Sequence, residues 1–88
     1  MKFLMSGNLL RFSSFQKEIE VTAPTVEAGV AELITKCPQL KPVLLDGEGR
    51  FRKVHRLFLN ENPLCQEELS HPVGTNDEVT ILTAIAGG

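Results

Sequence analysis

The chain has 88 residues, 42% hydrophobic and 23% charged, with a formal net charge of −2 and a pI near 5.6, a composition that gives one small folded domain and excludes a disordered or low-complexity segment. The acidic balance opposes nucleic acid and anionic membrane as partners, and no apolar run approaches the ~20 residues of a membrane span. Met1-Lys2-Phe3-Leu4-Met5 is too short for the apolar core of a signal peptide and no small-residue cleavage site follows it, so the expected location is cytoplasmic.

Lys2-Phe3-Leu4-Met5 opens as a strand in which Phe3 and Met5 face the core and Leu4 faces outward, because side chains alternate. Gly7-Asn8 signals a turn, and Lys17-Glu18-Ile19-Glu20-Val21 alternates again, with Ile19 and Val21 inward. The two runs pair as an antiparallel hairpin. Thr22-Ala23-Pro24-Thr25 breaks the strand, and Thr25 is a good N-cap with Glu27 in the first turn behind it. From there Val26, Val30, Leu33, Ile34 and Cys37 fall on one helical stripe that must lie on a sheet. Pro38 ends that helix.

Leu40 to Leu45 reads equally as a helical turn or a brief strand, and Gly47 to Lys53 is a polar loop. Val54-His55-Arg56-Leu57-Phe58-Leu59 is the third strand, Asn60-Glu61-Asn62-Pro63 a turn, and Leu64-Cys65 a short segment able to pair. Glu67 to His71 is irregular and Pro72 to Asp77 turns the chain again. Glu78-Val79-Thr80-Ile81-Leu82-Thr83 is the last strand, with Val79 and Ile81 inward and Thr80 and Leu82 outward. The expected core is therefore Phe3, Met5, Ile19, Val21, Val26, Val30, Leu33, Ile34, Val79 and Ile81. The order β-β-α-β-(β)-β predicts an α+β fold, a mixed sheet of four or five strands with one main helix packed on it. The last strand then lies beside the first at the centre, since the helix allows a right-handed crossover between parallel neighbours. That is the β-grasp architecture, spanning residues 1–83.

Few side chains suggest chemistry. Arg50, Arg52, Lys53, His55 and Arg56 form a basic cluster, which reads as a solvated loop face or as steering toward an acidic partner. Cys37 and Cys65 lie far apart without CxxC spacing, so they are expected reduced, partly buried and non-catalytic. His55 and His71 are isolated from each other and from cysteine, which leaves a metal site without support. No paired carboxylates, triad or phosphate loop marks an enzyme.

What remains is the ending, Ala84-Ile85-Ala86-Gly87-Gly88. Most chain ends simply fray. This one follows a strand directly and stops on two residues without side chains, so its backbone can enter a narrow channel. The six residues from Thr83 to Gly88 reach roughly 20 Å when extended.

Asp77-Glu78-Val79-Thr80-Ile81-Leu82 running into that diglycine, with Thr25-Val26 opening the helix and Phe58-Leu59-Asn60 closing a strand, resembles the β-grasp sulfur carriers. This is the family of the molybdopterin-synthase small subunit and the thiamin sulfur carrier. Leu44-Leu45-Asp46-Gly47 and Phe58-Leu59-Asn60 are most similar to the branch serving amino-acid or thioquinolobactin-type siderophore biosynthesis. The resemblance covers nearly the whole chain and departs at Thr83, where many relatives carry proline; the expected consequence is a looser tail.

The resemblance implies that residues 84–88 are a flexible tail and that the carboxylate of Gly88 is the reacting group. It implies an E1-like adenylating enzyme that consumes ATP, conversion of Gly88 to a thiocarboxylate, and a biosynthetic enzyme that accepts the sulfur. A JAMM-type metalloprotease belongs to the scheme where a precursor tail is trimmed. The carrier binds no cofactor stably. Leu4, Leu82, Ile85, Ala86 and Gly87 are then the partner-binding residues, although single surface leucines are also ordinary. The alternative in a different class is a ubiquitin-like modifier joined through Gly88 to target lysines.

Overall fold

The computed structural model describes residues 1–83. Strands β1 (Lys2–Met5), β2 (Glu18–Glu20), β3 (His55–Leu59), β4 (Asn62–Leu64) and β5 (Glu78–Thr83) form one sheet in the order β2-β1-β5-β3-β4. β1 runs parallel to β5 and antiparallel to β2, while β3 is antiparallel to both β5 and β4. The last strand is thus central and adjacent to the first, as the element order predicts. Helix α1 (Val26–Lys36) supplies the crossover. No helix among the described residues is long and apolar enough to cross a membrane.

α1 begins and ends where its sequence says. The Ala28 amide donates to Thr25 Oγ1 at 3.1 Å, which satisfies one amide that the first turn leaves without a helical partner. Cys37 closes the helix, donating its amide to the Leu33 carbonyl at 2.8 Å, and Pro38 follows. Val26, Val30 and Leu33 are buried against Phe3, Met5, Ile19, Val21, Val79 and Ile81 in one core, and Ile34 is half-buried at its margin. Gly29 leaves space for Met1, whose Cε occupies the position a Cβ there would take.

The irregular segments depart from the sequence reading. Residues Gly7–Phe12 form a 3-10 helix instead of a turn, and they bury Leu9. The ambiguous stretch is helical: a 3-10 turn, Pro38–Leu40, runs into the short helix α2 (Lys41–Leu44), and Leu40 and Leu44 are fully buried. Phe51, assigned above to a polar loop, is buried and bridges to Leu45. The turn after β3 is only Asn60-Glu61, both at positive φ (50° and 78°), so Asn62 and Pro63 already pair with Leu59 and Phe58. Two consecutive left-handed residues match the twist of the flanking strands, which is why so tight a connection suffices.

Three carboxylates, Asp46 and Asp77 half-buried and Glu68 exposed, tie the loops together. Asp46 Oδ1 accepts from the amides of Glu48 (2.9 Å) and Arg50 (3.0 Å), and these bonds, Arg50's foremost, hold its carboxyl below the usual range. The Gly74 amide does the same for Asp77 with help from the Asn60 side chain, and the Cys65 amide does so for Glu68. Because each folded value is depressed, each contribution is present above the unfolded carboxylate pKa of about 4 and fades as pH falls through the folded value. Denaturation midpoints are therefore expected to stay level from about pH 7 to pH 5 and to drop below about pH 4. Asp46→Asn should lower the neutral-pH midpoint and soften the acid drop; an acid drop as steep as the wild type's would contradict the assignment.

Candidate functional site around the exit of the central strand

β5 ends at Thr83, paired there with His55 of β3, while its pairing with β1 ends two residues earlier at Ile81. Ala84, Ile85, Ala86, Gly87 and Gly88, including the expected reacting carboxylate, lie outside the described residues. What the structure does show is the surface from which they depart.

The outward face of the sheet divides into a charged half and an apolar half. Away from the exit stand Lys2, Glu20 and Glu78, while Glu18, beside Leu4 on the outer strand, reaches back to Lys2 in an ion pair at 3.7 Å that contributes little in solvent. Toward the exit the strand register sets Leu4 beside Thr80, Thr80 beside Phe58, and Phe58 beside Pro63. One alternation further, Leu82 stands beside Arg56. Leu82 keeps 43% of its surface exposed and Leu4 is half-buried. Both expected partner-binding leucines thus share one face, on adjacent strands.

A residue that the sequence reading passed over belongs to the same surface. Phe58, half-buried, extends the apolar row from Leu4 toward β4, and a hollow of about 500 Å³ opens beside it, lined also by Arg56, Pro63, Leu64 and Cys65. Strand alternation alone would have found Phe58, since it is inverse in phase to buried Leu57 and Leu59. Phe15, 74% exposed and at φ 61°, follows β1 at the end of the sheet where β5 exits. A bulky side chain held out in the left-handed region is uncommon, and no periodicity signals it.

The basic cluster is smaller than its residue list. Arg50, Arg52, Lys53 and Arg56 are exposed, and Arg52 Nε donates to the Pro42 carbonyl at 3.0 Å. His55 does not belong with them: only 9% of it is exposed, and both ring nitrogens are engaged, with Thr83 Oγ1 at 3.0 Å and the Val43 carbonyl at 2.7 Å. Strand β3 also starts at His55, one residue later than expected, because Val54 lies in the preceding turn, 42% exposed.

The two cysteines differ in exposure. Cys37 is half-buried at the end of α1, whereas Cys65 is exposed, against the expectation that both are partly covered. The Glu68 carboxylate, through a hydrogen bond and its charge, pushes the Cys65 thiol up, so less of it is thiolate at neutral pH. Thr83 is the last paired residue of β5, opposite His55; the looser tail expected from it falls on residues outside the described ones.

By sequence, no protein-family model and no curated protein matches the chain. By structure, it is similar to small archaeal modifier protein 1 of Methanosarcina acetivorans, with a TM-score of 0.83 at 23% identity over 99% of this chain and 94% of that one. It is similar to the Amycolatopsis orientalis BexX/CysO complex structure, with a TM-score of 0.82 at 21% identity over 99% and 98%. Small archaeal modifier protein 1 of Haloferax volcanii gives 0.83 at 16% identity over 99% and 97%. The fold is the ubiquitin-like β-grasp. At these identities the agreement concerns the path of the backbone, and the high coverage of both chains leaves no room for long insertions on either side.

Proposed function

We propose that this chain is a sulfur carrier whose working group is the carboxylate of Gly88. The observation that carries the reading is positional: the central strand of a β-grasp sheet ends at Thr83 beside an apolar face, and five residues closing on Gly87-Gly88 follow it. Similarity to a chain crystallised in a BexX/CysO complex supports a life spent docking on other proteins.

The chemistry follows from the group. A terminal carboxylate, with a reference pKa of about 3.5, is ionised at neutral pH and resists nucleophiles. An E1-like enzyme overcomes this by letting the carboxylate oxygen attack the α-phosphorus of ATP, which releases pyrophosphate and leaves an acyl adenylate. A hydrosulfide-equivalent nucleophile then attacks the carbonyl carbon, AMP departs with the bridging oxygen, and a proton is lost to give the thiocarboxylate. The carrier supplies no acid or base. It supplies orientation, by holding the root of the tail still while the partner closes on its tip. Ile85 and Ala86 fill the partner's groove, Gly87 lets its backbone approach, and Leu4 and Leu82 dock the body. The thiocarboxylate then passes to a sulfur-accepting biosynthetic enzyme of the amino-acid or thioquinolobactin type, and a JAMM-type protease serves a tailed precursor.

Leu82→Glu tests the docking face. It is expected to leave the denaturation midpoint within about 0.5 kcal/mol of wild type, as surface changes do, while weakening titrated affinity for the activating enzyme about tenfold, typical of a buried interface anchor. Equal affinities would remove Leu82 from the surface.

The second reading, a protein modifier, is favoured by the similarity to two proteins named as archaeal modifiers. Both readings share adenylation and part at the product. After reaction with the activating enzyme, ATP and a sulfur source in cell extract, the carrier predicts free chain bearing a thiocarboxylate. Higher-mass conjugates linked through Gly88 to lysine, without thiocarboxylate, would replace it with the modifier.

A further inference from the structure

The exit of β5 is held by more than its strand ladder. Thr83 is the last residue of β5, registered opposite His55, the first residue of β3. Across that pair the Thr83 hydroxyl lies 3.0 Å from His55 Nδ1, and on the other side of the ring His55 Nε2 lies 2.7 Å from the Val43 carbonyl in α2. A carbonyl only accepts, so Nε2 carries a proton and donates to Val43; with that tautomer Nδ1 is bare and accepts from the Thr83 hydroxyl. The ring edge is fixed a third way by Phe51, whose centroid is 6.1 Å away at 87°. The Val43 carbonyl of α2, the Phe51 ring and the Thr83 hydroxyl of β5 thus converge on one imidazole, which holds the final residue of β5.

We infer that His55 is a positioning residue that clamps Thr83 and so fixes the point from which the reactive tail leaves the domain. Strand ends fray because their last ladder bonds open easily. Opening the Thr83 step would move the pivot back to Leu82 by ~3.4 Å and lengthen the free segment by one residue. For a carrier whose contribution is orientation, that added freedom lowers the fraction of bound complexes with the carboxylate in place. The inference rests on the carrier reading for its consequence, but the clamp itself is a property of the free chain.

The experiment therefore has two parts, on full-length chain in three forms: wild type, Thr83→Val, which removes the hydroxyl at nearly constant shape, and Thr83→Ser, which restores it. In the free chain, nitrogen-15 spectra of the wild type should show His55 as the Nε2–H tautomer. The Thr83→Val chain should keep its fold and exchange the amides of the adjoining Arg56–Leu82 pair on the order of fivefold faster, the size of one neutral hydrogen bond, and Thr83→Ser should return to wild-type protection. With an E1-like adenylating enzyme and ATP, Thr83→Val should lower kcat on the order of tenfold at unchanged KM, again rescued by serine. Equal amide protection in all three chains, or an Nδ1–H tautomer, would overturn the clamp. Protection lost with kcat unchanged would overturn its positioning role. Protection lost as expected, in a chain that no adenylating enzyme activates even as wild type, would leave the clamp standing and remove the carrier reading.

Discussion

One alanine added after Gly88 is expected to slow ATP-dependent activation on the order of 100-fold, with docking affinity unchanged. The added residue moves the carboxylate by ~3.5 Å and puts a methyl group where a channel shaped for glycine admits none. Displacements well below that distance already cost about two orders of magnitude when chemistry depends on a near-attack geometry. The split between binding and turnover follows from the separation of roles, since Leu4, Phe58 and Leu82 belong to the sheet face and are untouched by the addition. Removing Gly88 should be equally damaging, because the chain then stops short. Pyrophosphate exchange at saturating carrier reads the effect directly. An extended chain that turns over at the wild-type rate would mean that the terminus is not the reacting group.

Leu33→Ala is expected to destabilise the domain by about 2–5 kcal/mol. Leu33 has no exposed surface and sits in the middle of the α1 stripe, over the buried faces of β1 and β5. Truncation leaves a hole beneath a helix whose ends are fixed, at Thr25 by its side-chain cap and at Cys37 by its bond to the residue-33 carbonyl, so the gap closes poorly. For an 88-residue domain that loss is a large part of a total of about 5–15 kcal/mol. Denaturant midpoints read it. A midpoint that does not move would mean that α1 does not pack on the sheet as described.

Those two expectations rest on the parts of the molecule that were legible in the sequence. Ile19 and Val21 alternate with glutamates, and Val26, Val30 and Leu33 recur at helical spacing, so period alone placed β2 and α1. Pro38 and Thr25 marked the helix ends for reasons local to the backbone. Leu9, Leu40, Leu44 and Phe51 were not legible as core, because 3-10 turns and short bridges have no period that distinguishes a buried residue from an exposed one. Asn60-Glu61 was too short a turn to separate from the strand behind it, since its signal is a pair of positive φ angles carried without a glycine. The candidate site shows the same division. Leu4 and Leu82 were found by alternation and Phe58 could have been. His55, counted with the arginines around it, could not be moved into the interior by inspection, because its partners Val43 and Thr83 are 12 and 28 residues away.

The central claim, that Gly88 carries the sulfur, is tested most directly by intact and top-down mass spectrometry of the chain after incubation with its activating enzyme, ATP and a sulfur source. The wild type, Cys37→Ser and Cys65→Ser should all exchange one oxygen for sulfur at residue 88, and the chains extended beyond or truncated before Gly88 should not. Sulfur found on Cys37 or Cys65 with the Gly88 carboxylate unchanged would contradict the account.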